Sequence, residues 1–310
     1  MRILVWHVHG SWLNSFVQGP HTYLVPVLPD RSSDGFGRAR TWDWPATTEE
    51  LSPEALRSAD IDMVVAQRPR QLDRLIHDWT GRRPGTDVPC VYVEHNTPPG
   101  PADATPHPAS GRAGVTIVHV THFNQMMWDN GASPTTVIEH GVVDPGHLYG
   151  GELARAVAVI NDPVTRNRVT GTDVVLEMRR SVDVDLFGMR SEPLGGTDVP
   201  QWALHPEMAR RRVYLHPNRW TSLGLSLIEA MHLGMPVVAV GATEVYEAVP
   251  PAAGVVSNRR DVLESALRRF VHDPEEAKQR GDVARQIALE RFGLKRFLRD
   301  WDRLLEEVVR

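Results

Sequence analysis

Residues Thr221–Gly241, TSLGLSLIEAMHLGMPVVAVG, decide the fold. Leu225, Ile228 and Leu233 fall on or near one face of a 3.6-residue period, so the first half is a helix. Thr221 or Ser222 is placed to cap it, because a hydroxyl satisfies an otherwise unpaired first-turn amide. Gly234 stands where the helix stops, and Pro236 forbids its return. Val237–Val240 then has the unbroken β-branched and small apolar character of a parallel strand buried on both faces. Arg212–His216, just upstream, is a second strand. The unit is strand, loop, helix, strand, and the loop at the helix N-terminus is a natural anion site. One carboxylate, Glu229, sits within the helix.

Gly224-Leu225, Glu229-Ala230-Met231, Gly234 and Pro236-Val237-Val238 resemble the nucleotide-sugar signature of retaining glycosyltransferases with the GT-B fold, and within them the family 4 pattern Glu-x7-Glu. The resemblance implies an α/β chain of two Rossmann-like, doubly wound domains facing a central cleft. It implies that Glu229 holds the donor ribose. Thr221 stands where the pattern has its first Glu, which contacts hydroxyls of the transferred sugar. The loop residues Ser222, Leu223 and Gly224 would present helix N-terminal amides to the donor diphosphate.

The same resemblance distributes further roles. His95, at the end of the strand Cys90–Glu94, matches the histidine placed close to the reacting sugar carbon and is the catalytic-centre candidate. A loop after the first strand carries Gly10, a candidate for close approach to donor phosphate or acceptor. Relatives clamp the pyrophosphate with an Arg and a Lys in the loop corresponding to 161–171; here Asn161 takes the Arg position, and Arg166 or Arg168 could replace the Lys, since a guanidinium grips phosphate bidentately. Gly188, after the strand Val182–Phe187, would let the nucleotide approach the backbone.

Composition sets the limits around this reading. The 310 residues are enough for two ordinary domains. A formal net charge of −5 gives no sign of wholesale nucleic-acid binding. No apolar run is long enough for a transmembrane helix, and Met1–Val5 is expected to be a first strand, Arg2–Val8, rather than a signal peptide. The single cysteine, Cys90, suits a reducing cytoplasm, the expected location. His7 and His9 share a strand face and His21 lies nearby, but no carboxylate or cysteine completes a ligand set, so no metal and no cofactor are expected.

Asp144–Gly151 is glycine- and proline-rich and is the expected linker, giving domains 1–147 (acceptor side) and 148–310 (nucleotide-sugar side). The amphipathic helix 294–310 suits packing on its own domain or crossing back to the first one. Pro98–Gly114, with repeated Pro, Ala and Gly, is expected to be a flexible loop able to act as a lid. The expected partners are a nucleotide-sugar donor and a small-molecule acceptor, with no nucleic acid; oligomeric state has no signal. Two other readings stay open: another GT-B activity, such as a nucleotide-sugar epimerase or a non-sugar coupling enzyme, or a catalytically silent nucleotide-sugar binder.

Overall fold

Short aliphatic runs with polar residues only at their ends become strands buried on both faces, and they assemble into two parallel sheets. The computed structural model describes residues 1–310. It divides into two units, residues 1–143 with 294–310, and residues 144–293.

In the first unit, β1 (Arg2–Val5), β2 (Thr22–Pro26), β3 (Thr48–Leu51), β4 (Met63–Ala66), β5 (Cys90–Glu94), β6 (Val115–His119) and β7 (Thr135–Val137) lie in the order β3-β2-β1-β4-β5-β6-β7. Every neighbouring pair is parallel. The order reverses between β1 and β4, where doubly wound sheets bind ligands beyond their carboxyl ends. β1 stops at Val5, short of the expected Val8, and a helix begins at Gly10. β2 and β3 went unforeseen because Pro26, Glu49 and Glu50 give them a loop-like composition; β3 tolerates its carboxylates as an edge strand.

The Pro98–Gly114 segment is anchored rather than loose. His107 and Ala109 are buried, and His107 Nε2 lies 3.2 Å from Glu94 Oε2 at the end of β5.

The helix Leu294–Val309 belongs to the first unit. Its buried Trp301 packs edge-on against Trp12 and Phe16 of the helix Gly10–Phe16, with ring centroids 5.7 and 5.0 Å apart. Phe297 fills the space above Gly141, where an added Cβ would come within 2.2 Å of the Phe297 Cβ. Apolar burial on this scale outweighs any gain from a free amphipathic helix.

The second unit holds β8 (Leu153–Val159), β9 (Val184–Phe187), β10 (Arg211–His216), β11 (Val237–Val240) and β12 (Gly254–Ser257), in the order β12-β11-β10-β8-β9. All pairs are parallel, and the order reverses between β8 and β10. The unit begins at Asp144 because Arg285 donates to both Asp144 oxygens, at 3.0 and 2.9 Å, and Tyr149 N donates to Leu233 O at 3.0 Å. The linker's glycines and prolines therefore lie on the second unit from its first residue.

Trp301→Ala should lower the unfolding free energy by about 3–5 kcal/mol, the cost of truncating a fully buried tryptophan. Denaturant titration measures it; a loss of a few tenths would remove this helix from the core.

Candidate functional site

In the second unit the helix Leu225–Leu233 follows β10 at the point where strand order reverses. Its N-cap is Gly224, which makes no side-chain cap. Thr221 and Ser222 are thus not the cap expected from the sequence. Asn218 Nδ2 donates to Thr221 Oγ1 at 3.1 Å, and the Ser222 carbonyl accepts from Thr243 Oγ1 at 2.7 Å. Ser222 and Leu223 are buried. Gly224 has to be small, since a Cβ would lie 2.8 Å from His216 Cε1. The first-turn amides of this helix have no intrahelical acceptor and carry the positive end of its dipole.

Glu229 is buried, with its side chain 8% exposed, and His205 Nε2 stands 3.4 Å from Glu229 Oε2, off the line of a hydrogen bond. His205 comes from the helix Gln201–Ala209, which the sequence did not reveal. Pro206 sits inside that helix and its first turn holds no acid, so the usual signals were missing. Trp202, one turn before His205 on the same helix, is 82% exposed.

The loop after β8 opens on Asn161, whose Oδ1 accepts from Met189 N at 3.0 Å and so ties the ends of β8 and β9 together. Gly188, at φ +135, lies so close to Ile160 O that a Cβ would sit 2.2 Å away; this contact demands glycine there. Arg166 is exposed at the end of the short helix Pro163–Arg166. Arg168 Nη1 lies 3.2 Å from Asp173 Oδ2, and Arg219 grips the same carboxylate through two bonds of 2.6 and 2.7 Å. Arg168, Arg219 and Arg260 line a cavity of about 330 Å³ beside Val240 and Asn258. Arg219 and Arg260 lie in no motif that would single them out in advance.

In the first unit, polar side chains gather at the carboxyl ends of β1, β4 and β5. Gln67 Nε2 donates to Trp6 O at 2.8 Å, which orients its amide, and its Oε1 lies 3.1 Å from His95 Nε2. His95 must therefore carry its proton on Nε2, leaving Nδ1 as an acceptor. Burial, followed by the neighbouring His9 and His140, holds the His95 pKa well below the ordinary value. The His9 ring centroid is 4.0 Å from that of His95, and Trp12 packs edge-on at 5.0 Å. Gly10 opens the helix Gly10–Phe16, and the Trp42 ring occupies the place of its missing side chain, 2.6 Å from an added Cβ. The three early histidines go to different partners: His7 to Gly37 O, His9 to His95, His21 to Asp302.

Residues 198–287 match the protein-family model described as Glycosyl transferases group 1. Among solved structures, a sucrose-phosphate synthase from Thermosynechococcus elongatus superposes with a TM-score of 0.74 at 12% identity, covering 99% of each chain. Anabaena HepE in complex with UDP-glucose superposes at 0.70 with 16% identity, covering 99% of this chain and 100% of that one. A glycosyltransferase from Rickettsia africae gives 0.68 at 13% identity, over 100% of this chain and 98% of that one. The fold is GT-B. No curated protein matches by sequence.

Four buried histidines share one electrostatic state. Burial lowers His140 to about 3 and His119 and His216 to about 4, with His95 lowered in the same sense. Unfolded, each would titrate near its ordinary value of about 6.5. As pH falls below that value the unfolded chain takes up protons the native chain refuses. Stability is therefore fully present above about pH 6.5 and declines as pH drops toward the native pKa values. Between about pH 6.5 and 5, above the carboxylate range, the unfolding free energy should fall steadily. His140→Asn should shallow that slope by up to about one proton. A flat profile in this window would contradict the buried neutral assignment.

Proposed function

We propose that the protein is a glycosyltransferase that moves a sugar from a nucleoside-diphosphate sugar to a small acceptor, with retention of configuration and without a divalent metal. The observation that carries this reading is Glu229: a buried carboxylate in the helix at the strand-order reversal, inside the segment that matches group 1 glycosyltransferases. Family 4 within that group is the subtype proposed, on the spacing of Gly224, Glu229, Gly234 and Pro236.

The chemistry follows from the groups present. Departure of the diphosphate is the demanding step, and charge developing on it is best met by preorganised donors. The first-turn amides of Leu225–Leu233 supply them, with Arg168 or Arg166 adding a guanidinium. Glu229 accepts from the ribose hydroxyls, with His205 Nε2 standing 3.4 Å from its carboxylate. The exposed Trp202 indole offers a stacking face for the base. His95, neutral and with Nδ1 as acceptor, suits a hydroxyl of the transferred sugar. The Anabaena protein was solved with UDP and with UDP-glucose, so uridine donors are the first to test here.

Thr221 favours a second reading. It stands where the pattern has a carboxylate, and its hydroxyl is already engaged by Asn218. A catalytically silent nucleotide-sugar binder would suit that loss, as would an epimerase or non-sugar coupling activity. Release of UDP from UDP-glucose in the presence of acceptor separates an enzyme from a binder.

UDP at about 100 times its Kd should stabilise the fold by about 2.7 kcal/mol, and the thermal shift should persist in excess chelator. Disappearance of the shift on chelation would overturn metal independence. Glu229→Ala should weaken UDP binding by about 1.5–3 kcal/mol in calorimetry; unchanged affinity would make Glu229 structural.

Thr221→Ala should alter the ranking of donors that share one nucleotide while leaving helix stability intact, since Thr221 caps nothing. An unchanged ranking would end its role at the sugar.

A further inference from the structure

The segment between β2 and β3 has no regular structure, yet it is held in place by specific bonds. Leu28 N donates to Gly35 O at 2.9 Å, and Gly37 N donates to Pro26 O at 3.0 Å. Arg31 forms a two-bond pair with Glu50, at 2.9 and 3.1 Å. Arg38 runs under the segment and donates through Nη1 to Pro45 O (3.1 Å) and Thr48 O, and through Nη2 to Trp44 O (2.6 Å). Between this segment and the carboxyl end of β1 lies a cavity of about 420 Å³, lined by His7, Asp30, Arg31, Phe36, Arg38 and Arg40.

Its charges do not cancel. Arg31 is balanced by Glu50. The Arg38 side chain donates only to carbonyls, while its backbone amide donates to Glu50 Oε1 at 2.7 Å; its Nε–H and one Nη2–H have no protein acceptor. A guanidinium with donors left over can grip an oxyanion through charge-assisted bonds. Arg40 is exposed and makes no hydrogen bond or ion pair. Against these stands one carboxylate, Asp30, whose Oδ1 accepts from Ser32 N at 3.1 Å. One positive charge is left over, with unpaired donors to express it.

The other walls suit a hydroxylated ring. Phe36 is 42% exposed and offers an apolar face. His7 Nδ1 is committed to Gly37 O at 3.0 Å, so Nε2 remains as an acceptor for a hydroxyl. Burial lowers the His7 pKa and keeps that acceptor neutral.

We propose that this cavity binds an acidic acceptor: a sugar or cyclic polyol carrying one oxyanion, phosphate or carboxylate, held by Arg38 and Arg40. This deepens the glycosyltransferase reading and rests on it for the word acceptor; binding of the anion does not.

The test uses the full chain and three probes sharing one ring: glucose, glucose 6-phosphate and glucuronate. Arginine modification by phenylglyoxal, read by peptide mass spectrometry, reports protection of Arg40, and calorimetry reports affinity. Glucose 6-phosphate, glucuronate or both should slow modification of Arg40, glucose should not, and the better of the two acids identifies the oxyanion. Arg40→Gln should weaken binding of that acid about tenfold, the loss of a charge-assisted bond. It holds nothing else in place, so it tests the site without unfolding the segment, which Arg38→Gln would risk. Equal behaviour of glucose and both acids, or undiminished acid binding in Arg40→Gln, overturns the proposal. UDP affinity of the unmodified chain is measured in parallel. Its absence would overturn the donor reading while leaving the anion result to stand or fall separately.

Discussion

A parallel strand buried on both faces can carry polar side chains only where it ends, and that constraint organises both units. β1, β4 and β5 are apolar through their interiors, and β8 and β10 become so after Arg155 and Arg212. Their polar groups collect at the carboxyl ends, as His7, Gln67, His95, Asn161 and His216. Once there, a polar group must find a partner or remain exposed to ligand. Gln67 resolves this for three segments at once: its Nε2 donates to Trp6 O, its Oε1 accepts from His95 Nε2, and its backbone amide donates to Gln71 Oε1 at 2.7 Å. Asn161 does the same between β8 and β9. The candidate site residues are therefore the remainder left when the strand ends have satisfied one another.

In the first unit that remainder includes neutral histidines. His95 and His140 are kept neutral by burial, and neither has a carboxylate partner to restore its proton. A neutral imidazole accepts and donates one hydrogen bond each, so it orients a hydroxyl without committing charge. Guanidinium groups line one cavity in each unit: Arg168, Arg219 and Arg260 in the second, Arg38 and Arg40 in the first.

The stretch Thr221–Gly241 was legible because period, glycine and proline agreed: its helix ends at Leu233, Gly234 adopts φ +89, and β11 spans Val237–Val240. Glu229 could be placed for the same reason. His205 could not, because a buried contact between two helices leaves no spacing in the sequence. The strands β2 and β3 were hidden by their composition: β3 carries carboxylates that an edge strand tolerates, and β2 ends on Pro26. Thr221 looked like a cap because threonine often is one; the chain instead turns once more, to Gly224, before the helix starts.

The first unit is not continuous along the chain. Trp12 and Phe16 lie near its beginning, while Trp301, which closes over them, comes after the whole of the second unit. During synthesis the second unit has all its residues, 144–293, before the first unit has the helix that completes its aromatic core. The early half of the protein must then wait with Trp12 and Phe16 exposed until residues 294–310 emerge, the reverse of N-terminal-first folding. Until Trp301 appears, Trp12 and Phe16 lack the ring that packs edge-on against them.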